Sequence, residues 1–255
     1  MSELVGTPSD DVPEVLSVGR CVVTHLFVSM SARDPDGRDV DYLRWHTFDH
    51  RPEQSRIDSI RGSLRLVSTP ECRAARVVND ERYDAVDHVM TYFFADIHGL
   101  TPFNDLAIAL GGAGRIPWLL PMVERGVYRL DGVAAAPRIK VGADVLPWSP
   151  LLGGYVVVER GAASPAHLVD VGGVAGVWWG GSEQVDPTEP TADGHPWSGA
   201  DGLQITYCFL DEDPVTVADR MSPTLEQRWA RGGVVPLLAA PFHAVAGFDY
   251  DHHLP

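Results

Sequence analysis

Residues 91–96, TYFFAD, recur 115 positions later as residues 206–211, TYCFLD. At the same offset Thr101 meets Thr216, Leu106 meets Met221, Leu110 meets Leu225 and Pro121 meets Pro236. A register held without gaps across a strand and the segment after it is the mark of an internal repeat. The first copy sits in His88–Ala95 (HVMTYFFA), rich in aromatic and β-branched side chains and read as a strand. A helix follows, with Thr101 as N-cap and Pro102 at its first position. Phe103, Leu106, Ala107 and Leu110 form its apolar stripe, and Gly111-Gly112-Ala113-Gly114 ends it. In the second copy Pro223 replaces Ile108, so a kink there, or a restart capped by Ser222, is expected.

Working outward, Cys21–Met30 and Val127–Val133 read as the first and last strands of the N-terminal half, with Ser63–Val67 and Ala74–Val78 as strand candidates between them. Asp39 is placed to cap a helix through DVDYLRWHTFDH that Pro52 should end or kink, and a shorter helical stretch, PEQSRIDSI, stops at Gly62. In the C-terminal half Tyr155–Arg160 and Val174–Trp179 are strands, and Ser164-Pro165 can start a short helix. Each half therefore reads β-α-β-β-α-β. A sheet of this kind leaves one face bare, so two must cover each other. The expected fold is α+β: two ferredoxin-like βαββαβ repeats whose antiparallel sheets pack as an intrachain α+β barrel. The expected divisions are a flexible leader (1–17), a first repeat (18–136), a linker (137–152) and a second repeat (153–255). The Gly- and Pro-rich stretch Gly180–Gly202, around Trp197, reads as a lid or a surface excursion.

The chain has 255 residues, 45% hydrophobic and 22% charged, with formal net charge −15. Such an acidic chain has no broad grip on nucleic acid or anionic membrane. Cys21, Cys72 and Cys208 are too few and too scattered for a disulfide framework or a thiolate zinc site. No apolar run approaches the ~20 residues that cross a bilayer. The acidic start, MSELVGTPSDDVPEV, is unlike a signal peptide, and a cytoplasmic location is the default expectation. Neither a P-loop, nor GxSxG, nor a dinucleotide fingerprint is present, and no cofactor is expected.

With the repeat in hand, the segment Trp45-His46 and Asp49-His50-Arg51-Pro52-Glu53 resembles the aromatic, His- and Pro-bearing first helix of EthD-like members of the dimeric α+β barrel superfamily, here in a tandem fused version. The resemblance implies a pocket between sheet and helices in each half, used for apolar or aromatic small molecules. Nothing in the second half matches WHTFDHRPE, and Ala166–Asp170 carries only His167, which leaves a pocket there in doubt. Some relatives in the superfamily bind haem through histidine, for which His50, His167 or His243 would be the candidates, without a CxxCH attachment motif.

The residues themselves nominate His25, His46, His50 and Tyr92 for proton transfer, since imidazole titrates near neutrality. Trp45, Phe27, His88, Phe94 and Trp197 are nominated as ligand-binding. His46 and His50, four apart, share a helix face and could orient a ligand or cap a helix; a metal would need a third ligand, and no metal site is assigned. His25 reads equally as a core-edge histidine, and Tyr92 as structural, given its repeat partner Tyr207. Seven arginines in 51–82, interleaved with carboxylates, either bind an acidic ligand or form a solvated salt-bridged surface. The functions weighed are a cofactor-independent small-molecule enzyme acting on an apolar, aromatic or polyketide-like substrate, a non-catalytic binding protein for a hydrophobic ligand, and a haem enzyme. The expected partner is a small hydrophobic molecule, not nucleic acid or membrane, and a homodimer is allowed.

Overall fold

A computed structural model describes residues 21–185 and 202–255; the proposed leader and Trp197 lie outside the described residues. The first half contains β1 (His25–Ser31), α1 (Asp39–Trp45), a π-helical turn (His46–His50), α2 (Arg51–Gln54), β2 (Ile60–Val67), α3 (Pro70–Ala74), β3 (Val78–Asn79), β4 (His88–Phe94), α4 (Leu100–Gly112) and β5 (Met122–Ala135). The second contains β6 (Gly153–Arg160), a 3₁₀ turn (Ala166–Asp170), β7 (Val174–Glu183), β8 (Leu203–Leu210), α5 (Pro214–Ala230) and β9 (Val235–Ala244).

The strands run in the order β2-β4-β1-β5-β7-β8-β6-β9, and β9 pairs back onto β2. Each half thus contributes a ferredoxin-like sheet, and edge-to-edge joins close the two into one barrel. Closure pairs the sheet edges only in part: the β2 edge is joined to β9 over its last two residues, and the short β3 forms a further edge. The two seams differ in length. β5 and β7 pair from Val127↔Glu183 to Ala135↔Gly176, whereas β2 meets β9 only at Leu66↔Ala244 and Val67↔His243, with β3 extending the β9 edge at Val78↔Ala239.

Strand alternation sorts the side chains into two layers. Leu26, Val28, Met30, Leu66, Phe93, Val156, Ile205, Tyr207, Phe209 and Phe242 fill the barrel around Trp178, whose indole donates to the Ala143 carbonyl at 2.7 Å. The outward residues meet helices. Phe27, Met90, Tyr92 and Phe94 pack with Phe103 of α4, and Tyr155, Val157, Cys208 and Leu210 pack with Val217, Met221 and Leu225 of α5.

Several sequence expectations are corrected. Ala74–Val78 is not a strand, because Thr69 caps α3 over Pro70–Ala74 and only Val78 and Asn79 pair. Helix α4 begins at Leu100 rather than after Thr101, its lead-in turn being capped by Asp96, whose side chain accepts from the His98 N–H. Helix α5 runs through Pro223 without restarting at Ser222, and Asp213 caps it. Pro52 neither ends nor sharply breaks the first helix. The Arg51 N–H reaches back to the His46 carbonyl, and the helix widens into a π turn just before the proline, which lacks an N–H.

The repeat register is also shifted. β1 pairs β4 as His25↔Phe94, and β6 pairs β8 as Gly153↔Leu210, so these third strands correspond at an offset of 116. In the helices the buried set Phe103, Asn104, Ala107 matches Val217, Ala218, Met221, an offset of 114. The sequence offset of 115 lies between them. A one-residue slip exchanges sheet faces: Tyr92 points to the helices and Tyr207 into the barrel. Tyr207 is instead the counterpart of Thr91, to whose hydroxyl it hydrogen-bonds across the interior.

The long seam depends on close backbone approach at Gly180, where a Cβ would stand 2.4 Å from the Arg129 carbonyl oxygen; at Gly181 it would meet only the movable Asp131 carboxylate at 3.2 Å. Gly180→Ala is therefore expected to lower stability by about 1–3 kcal/mol and Gly181→Ala by clearly less, read as urea midpoints. Equal effects would contradict the seam.

Candidate functional site

The first half's outer face holds a cavity of about 100 Å³ between sheet and helices. Its floor is Phe27 and Ser29 of β1, Arg65 of β2 and Met90 and Tyr92 of β4; its walls include Tyr42, Trp45, His46, His50, Phe103, Asn104 and Leu120. Phe27, Tyr92 and Phe103 form a ring cluster with centroids 5.0 Å (Phe27–Phe103) and 4.9 Å (Tyr92–Phe103) apart. Opposite them Trp45 and His50 lie 5.0 Å apart and His46 and His50 5.4 Å. Two wider hollows, beside Arg56 and Pro102 and beside His167 and Arg220, are open surface grooves.

The π turn carries both cavity histidines and is held from both sides. Trp45 donates its indole N–H to the Arg115 carbonyl at 2.7 Å, while the Arg115 guanidinium meets Asp49 and Glu53 at 3.0 Å each. On the outer side Phe48 contacts Phe248 and Tyr250, so the chain's C-terminal segment braces this helix.

The cavity's polar lining is left largely unpaired. His46 Nδ1, His50 Nδ1, Arg65 Nε, the Tyr92 hydroxyl and Asn104 Nδ2 are buried without a hydrogen-bond partner in the protein. Native proteins leave few such groups, and five around one cavity make it the candidate site. Arg65 is 3% exposed; its Nη2 donates to the Tyr42 hydroxyl at 3.3 Å, and among the described residues no carboxylate pairs with it. Burial, reinforced by the Arg65 charge, holds His46 well below the usual histidine range and His50 at about 4. Burial pushes the Tyr92 phenol above its usual range. At neutral pH both imidazoles are neutral and the phenol is protonated.

Of the residues nominated from the sequence, His46, His50, Tyr92, Trp45 and Phe27 converge on this cavity. The other nominated residues that the structure describes do not line it. His25, at the far end of β1, bonds Thr24 Oγ1 at 2.8 Å and Glu183 at 3.2 Å. His88 is fully buried, and its Nε2 bonds the Asp39 carboxylate at 2.8 Å. Asp39 therefore braces β4 instead of capping α1, whose N-cap is Arg38. Phe94 packs against Phe103. Sequence reasoning missed Asn104 and Tyr42, and named Arg65 only as one of seven arginines that either bind an acidic ligand or form a salt-bridged surface. Arg65 lay hidden among surface-like arginines, although its place two residues before Val67, on an outward position of β2, was the available signal. Arg73, by contrast, does join Asp84 and Asp87 in a salt-bridged cluster.

The second half fills the equivalent space. By strand register Phe27, Ser29, Tyr92 and Arg65 correspond to Tyr155, Val157, Cys208 and Trp179, and by helix burial Asn104 corresponds to Ala218; all of these pack in one apolar cluster. Polar cavity in one half and apolar core in the other is the main asymmetry of the molecule.

The fold is that of the dimeric α+β barrel proteins, with both halves in one chain. Solved structures share it: an anthrone oxidase-like protein (11% identity, 89% of this chain and 92% of that one, TM-score 0.50) and a candidate chlorite dismutase (10%, 91% and 99%, 0.52). A candidate monooxygenase from Fusobacterium nucleatum is also similar (9%, 88% and 94%, 0.45). No protein-family model and no curated protein matches the chain. A haem does not fit the cavity, which has a small fraction of the volume a porphyrin needs. Among the described residues no cluster of three or more His, Cys, Asp or Glu is placed to hold a metal ion, and no helix is long and apolar enough to cross a membrane.

The histidine environment gives a pH dependence. His50 takes a proton near pH 4 when folded but near its ordinary value of about 6.5 when unfolded. Between those values the unfolded chain binds the extra proton, so stability falls as pH falls, by about 2 kcal/mol from this residue at pH 5. His50→Gln is expected to lose less stability than the parent between pH 7 and pH 5 in urea unfolding. Equal losses would contradict the buried neutral imidazole.

Proposed function

We propose that the chain is a small-molecule enzyme that holds an aromatic or polyketide-like substrate in the first-half cavity and acts on it by His/Tyr acid–base chemistry without a nucleotide cofactor. The observation that carries this reading is the cluster of unpaired buried polar atoms on His46, His50, Tyr92 and Asn104 inside an aromatic-walled cavity. The likeness of the WHTFDHRPE helix to EthD-like proteins supports the same location.

In the proposed reaction neutral His46 accepts a proton from an O–H or activated C–H of the substrate, becoming imidazolium and leaving the substrate's conjugate base. The protonated Tyr92 hydroxyl donates a hydrogen bond to that anion, and His50, bonded to Gln54 at 3.4 Å, holds the π turn's polar edge toward it. Phe27, Trp45 and Phe103 grip the ring faces and exclude water. His25, held by Thr24 and Glu183 away from the cavity, takes no part.

The test is turnover of hydroxyaromatic compounds of one to three rings, followed by mass spectrometry of products. His46→Ala and Tyr92→Phe are expected to lower kcat/KM by 10²–10⁴-fold, with circular dichroism unchanged. Ligand-dependent stabilisation of the parent without product from any compound would replace this reading by that of a binding protein.

A further inference from the structure

Among the residues lining the cavity, Arg65 and Arg125 are the charged ones; no aspartate or glutamate is among them. Arg65 is the more telling. It is buried to 3% exposure, its Nε has no acceptor, and among the described residues its side chain hydrogen-bonds only a neutral phenol, Tyr42, whose ring it also overlies at 5.4 Å. The Arg51 guanidinium nearby, bonded to Ser63, adds charge of the same sign. Buried cations are ordinarily paired, as Arg228 is in the second half, where Glu159 takes both Nε and Nη2 at 2.9 and 2.8 Å. Arg65 has no such partner among the described residues. The free groups beside it are rich in donors: its own Nε, Asn104 Nδ2 and the Tyr92 hydroxyl. A site offering donors and positive charge on this side suits a ligand that presents acceptor oxygens to them.

The size of the cavity narrows the class further. About 100 Å³ is comparable to the roughly 150 Å³ apolar cavity that accepts benzene, and it suits a one-ring ligand better than a fused three-ring one.

We infer that the ligand of this site is a small organic anion of one-ring size, whose carboxylate, phenolate or enolate oxygens dock on Arg65 with Asn104 and Tyr92 as further donors. The inference rests on the proposed ligand-binding role of the cavity and deepens it. Net charge −15 opposes anion capture at long range, so the selectivity comes from within the cavity, not from steering.

Calorimetric titration of the full chain with benzoate and with benzamide, matched in ring size, tests this. Benzoate is expected to bind about 10–100-fold more tightly, the worth of a charge-assisted hydrogen bond. Arg65→Lys should keep part of that ratio and Arg65→Met should bring it below about threefold; if Arg65→Met does not fold, the ratio in the parent protein decides. Equal affinity for benzoate and benzamide would overturn the anion assignment while leaving the cavity as a ligand site. Binding of three-ring neutral aromatics but of neither benzoate nor benzamide would overturn the size and charge class together. Failure of every compound to bind would remove the ligand-site reading itself, and this inference with it.

Discussion

Everything in the molecule depends on the two-residue alternation of strands around a closed barrel. Because β5 joins β7 and β9 joins β2, the inward faces of both sheets have one destination, a common core centred on Trp178, Phe93 and Tyr207. The outward faces are then forced against helices. Whatever a helix does not fill becomes cavity, and its lining is fixed by which residues hold outward positions. Phe27, Arg65 and Tyr92 line the cavity for this reason, and no loop is needed to bring them together.

The two halves solve the outward-face problem differently. In the second, Tyr155, Val157, Cys208 and Trp179 pack against α5, and the Glu159–Arg228 pair satisfies its own charges. In the first, helix α1 widens into a π turn at His46–His50 and polar residues take the matching positions. The same frame thus carries a close-packed wall on one side and an underpacked, donor-rich one on the other. Leaving Arg65 Nε, the Tyr92 hydroxyl and Asn104 Nδ2 unpaired costs stability, a cost that the proposed ligand would offset by supplying acceptors.

The TYFFAD/TYCFLD match and the strand count made the α+β barrel legible in the sequence, because hydrophobic alternation and turn residues are local signals. The face on which each repeated residue lies was not legible. Offsets of 116 in the strands and 114 in the helices average to the apparent 115, and that single slip turned Tyr207 into a false partner of Tyr92. His46, His50, Trp45 and Phe27 were visible because they sit in a resembling motif or on a clear strand. His25 was nominated for proton transfer and His88 for ligand binding, but Glu183 and Asp39, far away in sequence, hold them elsewhere. Arg65 was lost among neighbours of its own kind, since tertiary packing decides which of these arginines is buried beside a carboxylate, as Arg76 is, and which without one.

The central claim, that one half of a two-half barrel carries the ligand site, is tested most directly by methyl NMR on ¹³C-labelled methionines. Met90 and Met122 line the cavity, Met30 lies inside the barrel and Met221 belongs to the second half's core. Titration with a one-ring aromatic acid is expected to shift the Met90 and Met122 methyls and leave those of Met30 and Met221 in place. Movement of Met221 while Met90 and Met122 stay fixed would contradict it.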